Sequence, residues 1–465
     1  MNTSVVILAA GLGTRMKSKR AKVLHRAAGL TLIEHVVDAA LSLAPAASIV
    51  AVTGHQAAEV ESILAPLGLK FARQLEQKGT GHALECARPT FGQMPQEPGS
   101  LIMLLYGDTP LLTAATLTRL RDAQSKSNAA ATLITTTLDN PSGYGRVLLD
   151  SSGAVTAIVE QPACTPAQLE IKVINSGIYC FRAELLWKHL AEIQPNPASG
   201  ELYLTDMAAI LTRHGHRVEA LHVDDPAELL GINTRVELAD ADRLLRRRKA
   251  NALMLSGVTI ENPDSVSIDM RVRVGQDTVI EPFARLLGST TIGDDCHIGA
   301  GSILENATLA SRSIVKPYTL IADSEIASHA QIGPFSRIRM NAQIGEDARI
   351  GNFVEVKKSK IARGAKAQHL AYLGDAQIGQ KTNIGAGTIT CNFDGEAKHE
   401  TKIGDNAFVG SNSTLVAPIE IGSDSYIAAG SVVTDPVPPK TLALGRARQV
   451  NKSDWIAKRK SNRKP

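Results

Sequence analysis

From Ile268 onward an aliphatic residue recurs every six positions, at Ile268, Val274, Ile280, Leu286, Ile292, Ile298 and Leu304. Neither the helical period of 3.6 nor the strand period of 2.0 produces that spacing. After a slip of four the pattern resumes at Ile314, Leu320, Ile326, Ile332, Ile338, Ile344, Ile350 and Val356, and again at Ile403, Val409, Leu415, Ile421, Ile427 and Val433. A hexapeptide repeat is the mark of a parallel β-helix, a prism whose sides are short strands with one inward aliphatic residue each. Gly, Ala, Asn and Asp fill the corners. The interruptions at 305–313, 357–377 and 385–402 read as loops that leave the prism, where function concentrates. Residues 257–465 are assigned to this architecture.

The prism accounts for less than half of the chain. With 465 residues, the sequence exceeds the roughly 250 to 300 that one core serves, so a second domain is required. Over residues 1–233, apolar runs at 5–10, 49–53 and 101–106 alternate with amphipathic stretches such as 32–43. This alternation predicts a mostly parallel, Rossmann-like α/β sheet. Residues 234–256, rich in Leu, Ala and Arg, are expected to form a linker helix. A net charge of +4 leaves no nucleic-acid footprint over the body of the chain, although basic residues gather between Lys452 and Lys464. Cys86, Cys164, Cys180, Cys296 and Cys391 are far apart, without zinc spacing, and fit reduced thiols. The start has no basic n-region and no segment reaches spanning length, so a cytoplasmic protein without membrane partners is expected.

The first strand runs into a glycine-rich turn, LAAGLGTRM, whose amides can approach phosphates. It lacks the third glycine of a dinucleotide fingerprint and the Lys-Ser/Thr of a P-loop. Arg15 and Lys22 follow, so side chains would meet phosphate charge as well; a solvated basic loop is the other reading of Lys17, Lys19, Arg20 and Lys22. Asp108 ends the run LIMLLYGD at the carboxyl edge of a strand. It is either a hard oxygen ligand for Mg2+ or the N-cap of the following helix. Asn233 carries the same two readings, as a second ligand or as the cap of the linker helix. Between regular coils, the polar stretch at 357–395 contains His369, either a general base or a hydrogen-bonded structural imidazole. Nearby Cys391 has no evident basic partner and reads as a small buried hydrophobe rather than a nucleophile.

The motifs LAAGLGTRM, SKRAKVLH, QKGTGHA, YGD, GYGR, a lone Glu160, NSG and GIN, in this order, resemble those of sugar-nucleotide pyrophosphorylases. Joined to a hexapeptide domain carrying HLAYLGD, they resemble the family of bifunctional N-acetylglucosamine-1-phosphate uridylyltransferases and glucosamine-1-phosphate N-acetyltransferases over nearly the full length. The resemblance implies a nucleotidyltransferase domain followed by a left-handed β-helix that forms a homotrimer. It implies that Leu8, Ala9, Ala10, Gly11, Tyr106 and Gly107 hold the nucleotide, with Gln74, Gly79 and Thr80 on the uracil. Arg15 and Lys22 would meet the triphosphate as catalytic cations, Gly145, Glu160 and Asn175 the sugar, and Asp108 and Asn233 Mg2+. In the second half His369 would be the base, Arg339, Lys357, Tyr372 and Asn383 would bind the sugar phosphate, and Ala386, Asn392, Phe393, Ser411, Ala429 and Arg446 would line the acetyl-CoA site. The implied substrates are glucosamine-1-phosphate, acetyl-CoA, UTP and N-acetylglucosamine-1-phosphate, with acetyl transfer first. Three positions depart from the family: Ala21 and Met340 replace proline and Phe393 replaces tyrosine. Ala21 is expected to loosen the loop bearing Lys22. The basic tail reads either as a contact to CoA phosphates of a neighbouring subunit or as a solvated end. A pyrophosphorylase with a non-catalytic prism, and a non-catalytic sugar-nucleotide sensor, are the alternatives.

Overall fold

An aliphatic run such as 5–9 is stable only when both its faces are covered, and the first half of the chain covers them with helices. The computed structural model describes residues 2–91, 99–197 and 199–461 and divides into two units, Met1–Leu245 and Arg246–Pro465. The first unit contains a nine-stranded sheet: β1 (Thr3–Ala9), β2 (Ile49–Thr53), β3 (Lys70–Arg73), β4 (Leu101–Tyr106), β5 (Ala131–Thr137), β6 (Arg146–Leu149), β7 (Val155–Val159), β8 (Val173–Arg182) and β9 (Val218–His222). Its order is β9-β5-β8-β4-β1-β2-β3, with β6 on β8 and β7 on β6. Alternation along β1 feeds two cores. Val6 and Leu8 pack with Val50, Val52 and Leu84, while Val5 and Ile7 pack with Ile49, Val36 and Leu117. The sheet is mixed rather than mostly parallel, because β8 runs antiparallel between β4 and β5. From β1 the chain goes to β2 on one side and later to β4 on the other. That reversal opens a crevice beyond the carboxyl ends of β1 and β4.

The second unit is a left-handed parallel β-helix of three sheets with eleven, ten and nine strands. One buried residue per side fills the prism, and its register corrects the sequence assignment. Inward positions after Leu304 are Leu309, Val315, Ile321 and Ile326, whereas Ile314 and Leu320 are 36% and 45% exposed. Some sides hold five residues instead of six, as from Leu304 to Leu309 and from Val356 to Ile361. Each short side moves the phase by one. A strict count of six therefore sees breaks at 305–313 and 357–377, where the prism is continuous: Thr308–Leu309, Lys360–Ile361, Lys366–His369 and Tyr372–Gly374 are all strands of it. Small Ala367, 2% exposed, hides another inward position. Within 385–402 the chain leaves the prism only over 392–400, between the strands Ile389–Cys391 and Thr401–Ile403.

The helix Arg235–Leu255 crosses the boundary between the units. Thr234 caps it: its Oγ1 accepts from Glu237 N at 3.2 Å while the Glu237 carboxylate accepts from Thr234 N at 2.9 Å. Asp242 on its first half accepts from Ala28 N at 2.6 Å, and Ala250 and Leu253 on its second half join the prism core. No described helix is long and apolar enough to cross a membrane. The basic tail carries the helix Trp455–Ser461, exposed over 455–460; residues 462–465 lie outside the described residues.

Candidate active sites

At the carboxyl ends of β1 and β4 lies a cavity of about 310 Å³, lined by Leu8, Ala9, Ala10, Gly11, Lys22, Gln74, Gly79, Thr80, Tyr106 and Asp108. Ten of the residues singled out in the first unit thus share one space. Gly11 faces open room, since a Cβ there would meet nothing within 4 Å. Gly13 must be glycine for two reasons: its φ is +62°, and a Cβ would lie 2.5 Å from that of Lys22. Gly107 backs the cavity, its N–H donating to Leu8 O at 2.9 Å. Gln74, 4% exposed, is held by donation to Gly79 O at 3.0 Å.

Lys22 is the centre of the polar arrangement. Its ammonium ion-pairs with Asp108 Oδ2 and donates to Asn233 Oδ1 at 3.0 Å. Neither oxygen-bearing residue caps a helix, because the helix after Asp108 is capped by Thr113 and the one after Asn233 by Thr234. Two hard oxygens therefore converge on a point where a cation already stands, and that donor set fits Mg2+. Gly145, Glu160 and Asn175 also come together. Asn175 N donates to Gly145 O at 3.0 Å, and a Cβ on Gly145 would sit 3.5 Å from both Glu160 carboxylate oxygens. Burial raises the Glu160 pKa above its ordinary value, and the charge of Asp206 adds to the effect. Burial likewise raises Tyr106, with the Asp108 and Glu160 charges adding to the effect. Arg15 is exposed on the turn Thr14–Met16 and does not line the cavity.

Ala21 does not loosen its loop in the expected way. Its φ of −54° lies in proline's own range, and the N–H that proline would lack donates to Gln56 Oε1 at 2.5 Å. Sequence reasoning missed Gln77, Glu201 and Tyr203, which also line the cavity. Gln77 sits in the QKGTG motif and donates to Ala10 O at 3.1 Å, so its place was available from the motif. Glu201 and Tyr203 belong to no motif and arrive through the fold: Leu202 between them exchanges backbone hydrogen bonds with Lys78 and Gly81.

On the prism, His369 ends the strand Lys366–His369, in register with Asn352. Two residues beyond the successive pairs Ala367↔Ile384, Ile384↔Val409 and Val409↔Ile427 stand His369, Ala386, Ser411 and Ala429. They form one column along a corner, tied by Asn412 N to Ala386 O at 2.7 Å and Gly430 N to Ser411 O at 2.8 Å. His369 is exposed, and its Nδ1 lies 2.9 Å from Asn352 Oδ1. With that oxygen accepting, Nδ1 carries the hydrogen and Nε2 keeps its lone pair. Arg446 follows Gly445, one rung past Ala429, and is exposed.

A second constellation lies on the neighbouring face. Arg339 and Lys357 are in register, and Tyr372 begins the next strand. Lys357, 4% exposed, pairs with Asp375 at 3.2 Å; Asp375 also accepts from Asn392 Nδ2 at 2.5 Å and faces Lys358 at 3.5 Å. Burial would raise the Asp375 pKa, but the hydrogen bonds from Asn392 and Lys357 more than offset it and hold the carboxyl below its ordinary range. The Lys357 side chain at hydrogen-bonding distance, and its charge, lower the pKa of Lys398. Asp375, Lys398 and Asn352 were not singled out from sequence, although Asp375 closes HLAYLGD. Arg339 donates to Glu355 at 2.6 Å. Asn383 lies in register with Lys366, on the face of His369 rather than that of Lys357. Phe393 is 57% exposed at the root of the 392–400 excursion, bridged to Lys398. Met340 has φ +59°, which proline cannot adopt, so this turn differs from one built on proline. Cys391 is half-buried rather than a core residue, in register with Val416.

Comparison with known proteins covers both halves. The family described as a MobA-like NTP transferase domain matches residues 5–168, and the bacterial transferase hexapeptide family matches 271–306 and 400–435. Three full-length relatives are each named Bifunctional protein GlmU. That of Solibacter usitatus is 53% identical over 98% of this chain and 97% of its own. That of Koribacter versatilis is 46% identical over 99% and 98%, and that of Brevibacillus brevis 44% identical over 97% of each. Such identity over both halves leaves neither unmatched, and the chain belongs to the bifunctional GlmU family.

Proposed function

We propose that the two constellations divide the two activities of a bifunctional enzyme of UDP-N-acetylglucosamine synthesis. Residues 257–465 transfer acetyl from acetyl-CoA to glucosamine-1-phosphate, and residues 1–233 then transfer uridylyl from UTP to the N-acetylglucosamine-1-phosphate formed. Residues 234–256 connect them. The observation that carries acetyl transfer is His369, oriented by Asn352 at the head of a column of small residues.

In acetyl transfer, His369 Nε2 takes the proton as the sugar amine attacks the thioester carbonyl, the C–S bond of the tetrahedral intermediate breaks, and that proton passes to the departing sulfur so that CoA leaves as thiol. Lys357 and Lys398, two ammonium groups drawn together beside Asp375, supply charge for the sugar phosphate with Arg339, while Tyr372 and, from the face of His369, Asn383 supply neutral hydrogen-bonding groups. Ala386, Ser411 and Ala429 keep the corner low for an extended ligand, with Asn392, Phe393 and Arg446 at its margins. In uridylyl transfer, the sugar phosphate oxygen attacks the α-phosphorus of UTP and pyrophosphate leaves. Leu8 to Gly11, with Tyr106 and Gly107, cradle the nucleotide, while Gln74, Gly79 and Thr80 face the base. Gly145, Glu160 and Asn175 face the sugar. Asp108 and Asn233 would hold Mg2+, whose charge neutralises the phosphates when bound. Lys22 then turns from those oxygens to the triphosphate, where Arg15 joins it. The enzyme acts as a homotrimer in the cytoplasm.

The test supplies glucosamine-1-phosphate, acetyl-CoA, UTP and Mg2+, and follows free thiol and pyrophosphate separately. Asp108→Ala is expected to lower pyrophosphate release at least 100-fold with thiol release kept; His369→Ala should lower thiol release by ~100-fold or more. Pyrophosphate from ready-made N-acetylglucosamine-1-phosphate should persist in His369→Ala. A variant that keeps both rates removes that residue from its assigned site.

A further inference from the structure

Away from both sites, three histidines and a glutamate meet where the helix Ala183–His189 and the turn Leu190–Glu192 pack beside the end of the helix Asp206–Arg213. Glu192 stands between two imidazoles, with Oε1 2.7 Å from His189 Nδ1 and Oε2 2.9 Å from His214 Nε2. One ligand atom from each of the three residues lies within 4.8 Å of the others. The rings of His189 and His214 are 4.2 Å apart, and that of His216 is 5.7 Å from His189. His189 is 2% exposed; its Nδ1 faces Glu192, and its Nε2, turned away from the cluster, has no hydrogen-bond partner among the described residues.

We propose that His189, Glu192 and His214 form a binding site for a divalent transition metal of the zinc class, with His216 available as a fourth ligand. Two or three imidazoles and one carboxylate are a donor set of that class, whereas Mg2+ prefers the all-oxygen pair Asp108 and Asn233. Tetrahedral bonds of about 2.0–2.2 Å place ligand atoms ~3.4 Å apart. The two nitrogen–oxygen contacts, 2.7 and 2.9 Å, are shorter than that and run to different carboxylate oxygens, so the side chains move apart to admit the ion. A carboxylate only accepts hydrogen bonds, so His189 Nδ1 and His214 Nε2 now carry hydrogens toward it. On metal binding those hydrogens move to the far ring nitrogens. His214 is exposed and gives the ion an entry path, while buried His189 anchors it. Glu201 and Tyr203, which line the nucleotide cavity, lie on the chain between Glu192 and His214. The metal would therefore pin both ends of the stretch that carries them.

The experiment titrates Zn2+, and Co2+ as a spectroscopic probe, into chelator-treated full-length protein. Expected are one equivalent bound with a dissociation constant below ~10 µM, visible Co2+ bands of tetrahedral intensity, and a rise in Tm of roughly 5 °C at 100-fold excess over the dissociation constant. His214→Ala and Glu192→Gln, both on the exposed side of the cluster, should lose that equivalent and the Tm rise while keeping the parent far-ultraviolet dichroism. Asp108→Ala should keep them. Binding that survives in His214→Ala, vanishes in Asp108→Ala, or needs millimolar metal would overturn the site.

Discussion

Lys22 shows how much of a site one residue type leaves undecided. The basic loop was readable in sequence, but four cations share it, and only the fold selects the one that reaches Asp108 and Asn233. The helix-cap readings of those two residues were equally open, and they close only because Thr113 and Thr234 already occupy the cap positions. Glu160 gives a prediction at this scale. Its pKa is raised, so across that interval the folded state binds more protons than the unfolded one, and stability falls as pH rises from the ordinary value of 4.5 through the folded value. Glu160→Gln removes this loss. Urea midpoints of the unliganded variant should match the parent near about pH 4 and exceed it increasingly toward about pH 7, while the KM for N-acetylglucosamine-1-phosphate rises. Equal midpoints at every pH would mean the carboxylate is not desolvated.

At the scale of the element, hydrophobic period identified the prism but not its register throughout. A side of five residues is as good a strand as one of six, because a single inward residue per side is all the core requires. Leu320 and Ile321 separate the two registers. Ile321 is 1% exposed and Leu320 45%. Ile321→Ala should cost about 2–5 kcal/mol in equilibrium unfolding, and Leu320→Ala less than ~1 kcal/mol. The reverse ranking would restore the strict six-residue count. In the first unit the apolar runs located β1, β2 and β4 closely. The antiparallel direction of β8 was not legible, since a strand buried on both faces reads the same in either direction.

At the scale of the whole molecule, the column from His369 to Arg446 makes a prediction about assembly. Gly445 lies four rungs from His369, which at a strand spacing of about 4.8 Å puts Arg446 roughly 19 Å away in the same chain. In the proposed trimer, Arg446 of a neighbouring copy would meet CoA bound beside His369. Co-expressed His369→Ala and Arg446→Ala chains should then recover about a quarter of parental thiol release, the fraction of randomly mixed sites holding both native residues, while each variant alone stays low. No recovery would place both residues in one chain's site. An α/β unit followed by a β-helix, and the motif-bearing loops, were legible in the chain, because core periodicity and glycine-dependent turns are local properties; the direction of β8 was not. Packing alone settles which charges meet, that Glu201 and Tyr203 reach the cavity beyond β1 and β4, and that His189, Glu192 and His214 converge. Those contacts join residues whose separation along the chain carries no period, and packing of the whole fold is what brings them within hydrogen-bonding distance.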